Sequence, residues 1–182
     1  MSTVGPAGRE RRAGLFVVVP ADDLVGDFRR RHHSESVARR LPPHVTIRFP
    51  FRPVADVDDA LCAELTRHFS GLAPFAAELT GVGSFSRHVW LAPEPRDRFV
   101  ELMQTTRERF QSGPFGDEAR REPVPHLTVG EARRGEDVDQ LAALAREELE
   151  PLLPFGFVVA AVSLLEEGAD GLWHELSRFE LA

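Results

Sequence analysis

Apolar and polar positions along the chain switch between two periods. Leu15-Phe-Val-Val-Val19 is a continuous β-branched run of the kind a buried strand shows. Asp22 and Asp23 then offer N-caps to a helix carrying Leu24, Val25 and Phe28. After Pro42-Pro43 comes His44-Val-Thr-Ile-Arg-Phe49, a period-two strand. Val45, Ile47 and Phe49 point one way, and His44, Thr46 and Arg48 point the other. Val57, Leu61, Leu65 and Phe69, spaced by four, predict a helix. Phe75–Thr80 and Val89–Leu91 predict strands on either side of a Gly81-Val-Gly83 turn.

The second half repeats this order. Phe99, Val100, Met103 and Phe110 mark a helix, and a loop rich in Gly and Pro spans 113–125. Pro125-His-Leu-Thr-Val129 is a short alternating strand, and Val138, Leu141, Leu144 and Ala145 mark a helix ending near Pro151. Strands at Phe155–Leu165 and Leu172–Leu181, separated by a turn at Gly168-Ala-Asp-Gly171, close the chain. Each half thus reads strand, helix, His-bearing strand, helix, strand, with the two His strands 82 residues apart. This predicts two lobes related by a pseudo-two-fold axis, in a mixed α/β or α+β fold.

Composition narrows the function. At 182 residues with a net charge of −7, the chain is an acidic single domain without a broad basic face. Long duplex nucleic acid is therefore excluded as a partner, whereas a strand end or a small phosphorylated ligand is not. No apolar run approaches the length of a membrane span. All 22 basic residues are Arg, so Lys chemistry is excluded. The single Cys, Cys62, forms no intrachain disulfide, which agrees with a cytoplasmic protein. Residues 1–12 are expected to be a loose N-terminus ahead of a single bilobal domain at 13–182. The basic start is not a signal peptide, because its apolar run is only five residues and meets Pro20 and two Asp.

The chemistry lies in one duplicated pattern. Seven His and sixteen Ser plus Thr predict fewer than one His-x-Ser/Thr triplet, yet four occur, at His32, His44, His68 and His126. Only on a strand do residues two apart share a face, so only His44/Thr46 and His126/Thr128 present an imidazole beside a hydroxyl. Both sit in the longer pattern Pro-His-aliphatic-Thr-β-branched. Two imidazoles across a groove suit general acid–base work, since both protonation forms of His exist near neutrality. The Thr hydroxyls can donate to phosphate oxygens. Such a site needs no metal or other cofactor. A zinc hydrolase is the main chemical rival, but no third ligand stands at a recognised spacing.

With these paired strands, the chain resembles the 2H phosphoesterase superfamily, nearest the 2′-5′ RNA ligase and RNA cyclic phosphodiesterase branch. The resemblance implies an α+β, bilobal fold: two antiparallel sheets flanked by helices, with the motifs lining a central groove. It implies metal-independent opening of 2′,3′-cyclic phosphates on an RNA 3′ end or a small cyclic nucleotide, with reverse 2′-5′ ligation as a side activity. It makes His44 and His126 the acid and base, and Thr46 and Thr128 the phosphate holders. The alternative is a nucleotide or RNA-end binding module that uses the same groove without turnover. The sequence departs from many relatives after each motif, at Arg48-Phe-Pro-Phe51 and at Val129-Gly-Glu131, where Gly130 and Glu131 leave a commonly basic position unfilled.

Four further residues are candidate substrate contacts. Arg48 shares the His44 face. Arg120 and Arg121 lie in the loop before His126, and Phe85 offers a ring to a base. His88 is a candidate for the groove wall. Trp90 and Trp173 are expected in packing, with Trp173 at the groove rim. His32, His33, His68 and His174 are read as non-functional, and the Arg29–Arg31 and Arg39–Arg40 clusters as surface charge. The chain is expected to act as a monomer.

Overall fold

The computed structural model describes residues 10–111 and 123–182. In chain order the elements are β1 (Arg12–Val18), α1 (Asp22–His32), α2 (Ser34–Ala38), β2 (His44–Pro53), α3 (Asp59–Phe69), β3 (Phe75–Phe85), β4 (His88–Glu94), α4 (Arg96–Arg109), β5 (Leu127–Glu131), α5 (Val138–Leu149), β6 (Phe155–Val159), β7 (Ala161–Glu167) and β8 (Trp173–Glu180). The strands form two antiparallel four-stranded sheets, β2-β1-β7-β8 and β5-β4-β3-β6. The architecture is α+β. Among the described residues, no helix is long and apolar enough to cross a membrane.

The internal repeat is real, but its strands are exchanged. With α2 and β6 set aside, the unit β1-α1-β2-α3-β3 matches β4-α4-β5-α5-β7 in element order. The last strand of each unit pairs in the sheet of the other, β3 beside β4 and β7 beside β1. The lobes are therefore not the two halves of the chain, since the first sheet combines strands from both ends. The exchange extends to the helices: α1 packs on β5 and α4 packs on β2. β2, which bears His44, and β5, which His126 immediately precedes, are the outer strands of their sheets and lie against one another.

Two predicted elements differ. Gly81-Val82-Gly83 is no turn; β3 runs through it with a register shift between Leu79 and Val82. Glycine there permits a bulge within a strand as readily as a turn. The reversal falls at Ser86, which takes φ 54. The predicted strand Phe155–Leu165 is two strands in different sheets, parting at Ala160. Asp22 and Asp23 do not cap α1; Ala21 stands at the N-cap and the two acids occupy the first turn, where the helix dipole favours them. By contrast, Asp58 caps α3 by accepting from the Leu61 amide at 2.8 Å.

The core lies between sheets and helices. Phe28, Phe51, Phe69 and Phe99 are fully buried in it. Each contributes about 1.5–3 kcal/mol relative to exposure. Val45, Ile47 and Phe51 of β2 face this core, as do Leu127 and Val129 of β5. His44, Thr46, Arg48 and Thr128 are left on the opposite faces, half-buried.

Candidate active site

The two motifs build the same local unit twice. His44 Nδ1 lies 2.7 Å from the Pro42 carbonyl, and His126 Nδ1 lies 2.7 Å from the Val124 carbonyl. A carbonyl only accepts, so each Nδ1 carries the proton and each neutral ring keeps its lone pair on Nε2. The residue between carbonyl and imidazole is proline in both cases, Pro43 and Pro125. Its fixed φ and the extended bias on the residue before it set the carbonyl two residues back toward the ring. The proline of the motif therefore orients the histidine.

Each imidazole also rests on an aromatic edge. Phe16 meets His44 with centroids 4.9 Å apart at 79°, and Phe85 meets His126 at 4.9 Å and 87°. Phe16 is the β1 partner of Thr46, and Trp90 is the β4 partner of Thr128. Trp90 lies 6.2 Å from the His126 ring. Two glycines make room for these rings. A Cβ on Gly14 would stand 2.7 Å from the Phe16 and Phe49 rings, and one on Gly83 would stand 2.4 Å from the Trp90 indole.

Electrostatics favours neutral imidazoles. Burial pushes His44 down to about 4, opposed by its bond to the Pro42 carbonyl and assisted by Arg29, His33 and His126. That His126 acts on His44 puts both rings in one electrostatic neighbourhood. His126 is also lowered, first by burial and then, against the pull of its Val124 bond, by His88. His33 falls to about 4 through burial and the neighbouring Arg29. A phosphate arriving between the two motif histidines would reverse part of this, because an anion favours the imidazolium.

The other candidates are placed as follows. Phe85 is 38 % exposed and packs on the His126 ring, so part of its surface is open to solvent beside the imidazole. Arg48 Nη1 donates to the Phe110 carbonyl at 2.8 Å, tying β2 to the end of α4. Arg120 and Arg121 lie outside the described residues. His88 is half-buried 6.3 Å from Phe85. Glu131, beyond the second motif, is paired with Arg87 of the β3–β4 hairpin at 2.6 Å. Trp173 joins Phe16 and Phe49 in a small cluster beside His44, with the Arg39 guanidinium over its ring. Arg29 is the correction: it is 3 % exposed and is not surface charge. The signal was available, because Val25, Phe28, Arg29 and His32 share one helical stripe. Phe16, Gly14 and Gly83 were missed because cross-strand register is not written in a single strand.

Comparison with known proteins gives the family and the fold. Residues 17–171 match the model of the 2′-5′ RNA ligase superfamily. A Geobacillus kaustophilus protein named "Putative phosphoesterase" is 26% identical over 166 residues, covering 88% of this chain and 90% of its own. A Bacillus cereus protein of the same name is 29% identical over 174 residues, covering 90% and 94%. Among solved structures, Escherichia coli LigT complexed with 3′-AMP superposes with a TM-score of 0.61 at 20% identity, over 96% of this chain and 99% of LigT. LigT is also seen complexed with NADP+ and with ATP. The chain belongs to the 2′-5′ RNA ligase superfamily, the 2H phosphoesterases.

Proposed function

We propose that this member of the 2′-5′ RNA ligase superfamily is a metal-independent phosphodiesterase that opens 2′,3′-cyclic phosphates at RNA 3′ ends or on small nucleotides. The observation that carries the reading is the duplicated imidazole unit. Two rings, one on the edge strand β2 and one immediately ahead of the adjoining edge strand β5, each have Nδ1 tied to a backbone carbonyl, which leaves Nε2 as the reactive atom. The 3′-AMP, NADP+ and ATP complexes of LigT support a nucleotide as ligand.

The reaction needs one base and one acid. A neutral imidazole takes a proton from water as its oxygen attacks phosphorus. The bond from phosphorus to the ribose 3′ oxygen breaks, and the other imidazolium gives that oxygen its proton. The product is a 2′-phosphate beside a 3′-hydroxyl. The proton taken up and the proton given balance, and the pair is reset by exchange with solvent. Each role contributes typically ~10²–10⁴-fold. Thr46 and Thr128 donate to the non-bridging oxygens as charge grows there. With the 5′-hydroxyl of a second ribose as nucleophile in place of water, the same ring opening, in which the bond from phosphorus to the 3′ oxygen again breaks and that oxygen takes the proton, makes a 2′-5′ linkage. The net charge of −7 favours short substrates and free ends over an RNA body.

The test is hydrolysis of an oligonucleotide bearing a 2′,3′-cyclic phosphate in the presence of EDTA. Turnover is expected to yield the 2′-phosphate and to fall by at least about 100-fold in His44→Ala and in His126→Ala. Nucleotide binding without turnover would select the binding-module reading. Activity that survives both substitutions would reject the mechanism.

A further inference from the structure

Helix α1 carries a guanidinium in a costly place. Arg29 is 3 % exposed, its Nε is buried without a hydrogen-bond partner, and its Nη2 donates to the Leu41 carbonyl at 2.8 Å. Among the described residues, the only carboxylate whose charge raises its pKa is Asp22, and burial outweighs it. A cation buried without a close counter-charge is retained only where something offsets its cost.

What Arg29 holds is informative. Leu41 immediately precedes Pro42, whose carbonyl receives the His44 Nδ1 proton. Pro42 and Pro43 have fixed φ, so the chain from the Leu41 carbonyl to the His44 ring has few soft torsions. A bond at Leu41 therefore sets the Pro42 carbonyl, and with it the ring. The same guanidinium acts on His44 and His33. Around His44 the charged or titratable neighbours are Arg29 of α1, His33 just beyond it and His126 ahead of β5; Phe16 of β1 adds an apolar edge. His126 has no equivalent, since its titratable neighbour is His88. One buried arginine thus makes two like motifs unlike.

We propose that Arg29 is a positioning residue for His44: by donating to the Leu41 carbonyl it fixes the Leu41–Pro42 segment that orients the ring. The kinetic part of the test rests on the two-histidine reading above; the effect of Arg29 on the His44 ring does not.

The experiment is side-chain ¹H–¹⁵N correlation spectroscopy of the histidines across pH in the full chain, for wild type, Arg29→Met and Arg29→Lys, alongside kcat/KM profiles. In Arg29→Met the His44 midpoint is expected to rise by about half a unit or more and the Nδ1–H tautomer to lose its dominance. The limb of the kcat/KM profile that His44 sets should move by the same amount, and the His126 midpoint by less. Arg29→Lys should restore the midpoint by keeping the charge. If Arg29→Met does not fold, Arg29→Gln, which keeps a donor for Leu41 without charge, is read in its place. A folded neutral variant with the His44 midpoint and tautomer of wild type overturns the proposal. Should wild type show no turnover, the function reading fails while the spectra still decide the role of Arg29.

Discussion

Two histidines buried in the neutral form make the fold sensitive to mild acid. His33 and His44 are both lowered to about 4, chiefly by burial. In the unfolded chain each returns to its ordinary value of about 6.5. Between these values the unfolded state binds more protons than the folded one, so stability rises with pH. The contribution is complete above about 6.5 and is lost as pH falls toward 4. A 2.5-unit gap is worth at most about 3.4 kcal/mol per group, of which about 2 is gone by pH 5. Both side chains keep some contact with solvent, which reduces this to about 1 kcal/mol each, or about 2 together, between pH 7 and 5. His32, His68 and His126 are lowered too and add to the same slope. The lowered carboxylates, Glu148 and Asp170, act below this window. Urea unfolding followed by the fluorescence of Trp90 and Trp173, at pH 8, 7, 6 and 5, reads the effect. With m near 2 kcal/mol/M, the midpoint should fall by about 1 M or more from pH 7 to 5. His33→Gln/His44→Gln should flatten that fall by the share of the two groups. An unchanged midpoint across the range, or a double variant as steep as wild type, would refute the reasoning.

Three further outcomes follow from the site. Because both motif histidines are lowered in the free protein, kcat/KM should decline as pH rises through a value below the ordinary 6.5 of histidine, whereas kcat should decline at higher pH because the bound phosphate stabilises the imidazolium; coincident profiles would contradict this. Thr46→Val and Thr128→Val should each lower kcat/KM by about 10²-fold with little change in melting temperature, and unchanged kinetics would remove the hydroxyls from the phosphate-holding role. Gly83→Ala should cost about 1–3 kcal/mol in urea unfolding, because its Cβ would stand 2.4 Å from the Trp90 ring, and a neutral result would show that the indole yields freely.

What the sequence made legible was whatever is local. Alternation in His44–Phe49 separated core-facing Val45 and Ile47 from His44 and Thr46, and the structure keeps that division for these four, whereas Phe49, expected beside Val45 and Ile47, packs on Phe16 and Trp173 in the small cluster near His44. The repeat of element order was legible for the same reason. What was not legible is which sheet a strand joins, because a period of two is the same in either. The passage at Ala160, where β6 leaves one sheet and β7 enters the other, therefore read as one strand. The bulge at Gly81–Gly83 was hidden because glycine marks turns and bulges alike. At the site, the imidazoles and hydroxyls announced themselves by duplication. Their supports did not: Phe16 and Trp90 arrive by cross-strand register, and Arg29 from a helix that packs on the other sheet.

Catalysis by the histidine pair depends on both Nε2 atoms reaching one phosphoryl group. A crystal structure with a nucleoside 2′-phosphate bound addresses this directly. The phosphate is expected between β2 and β5, with His44 Nε2 and His126 Nε2 each about 2.6–3.2 Å from one of its oxygens. Thr46 and Thr128 should donate to the remaining oxygens. A phosphate held elsewhere, or touched by only one of the two rings, would contradict the shared-phosphoryl mechanism.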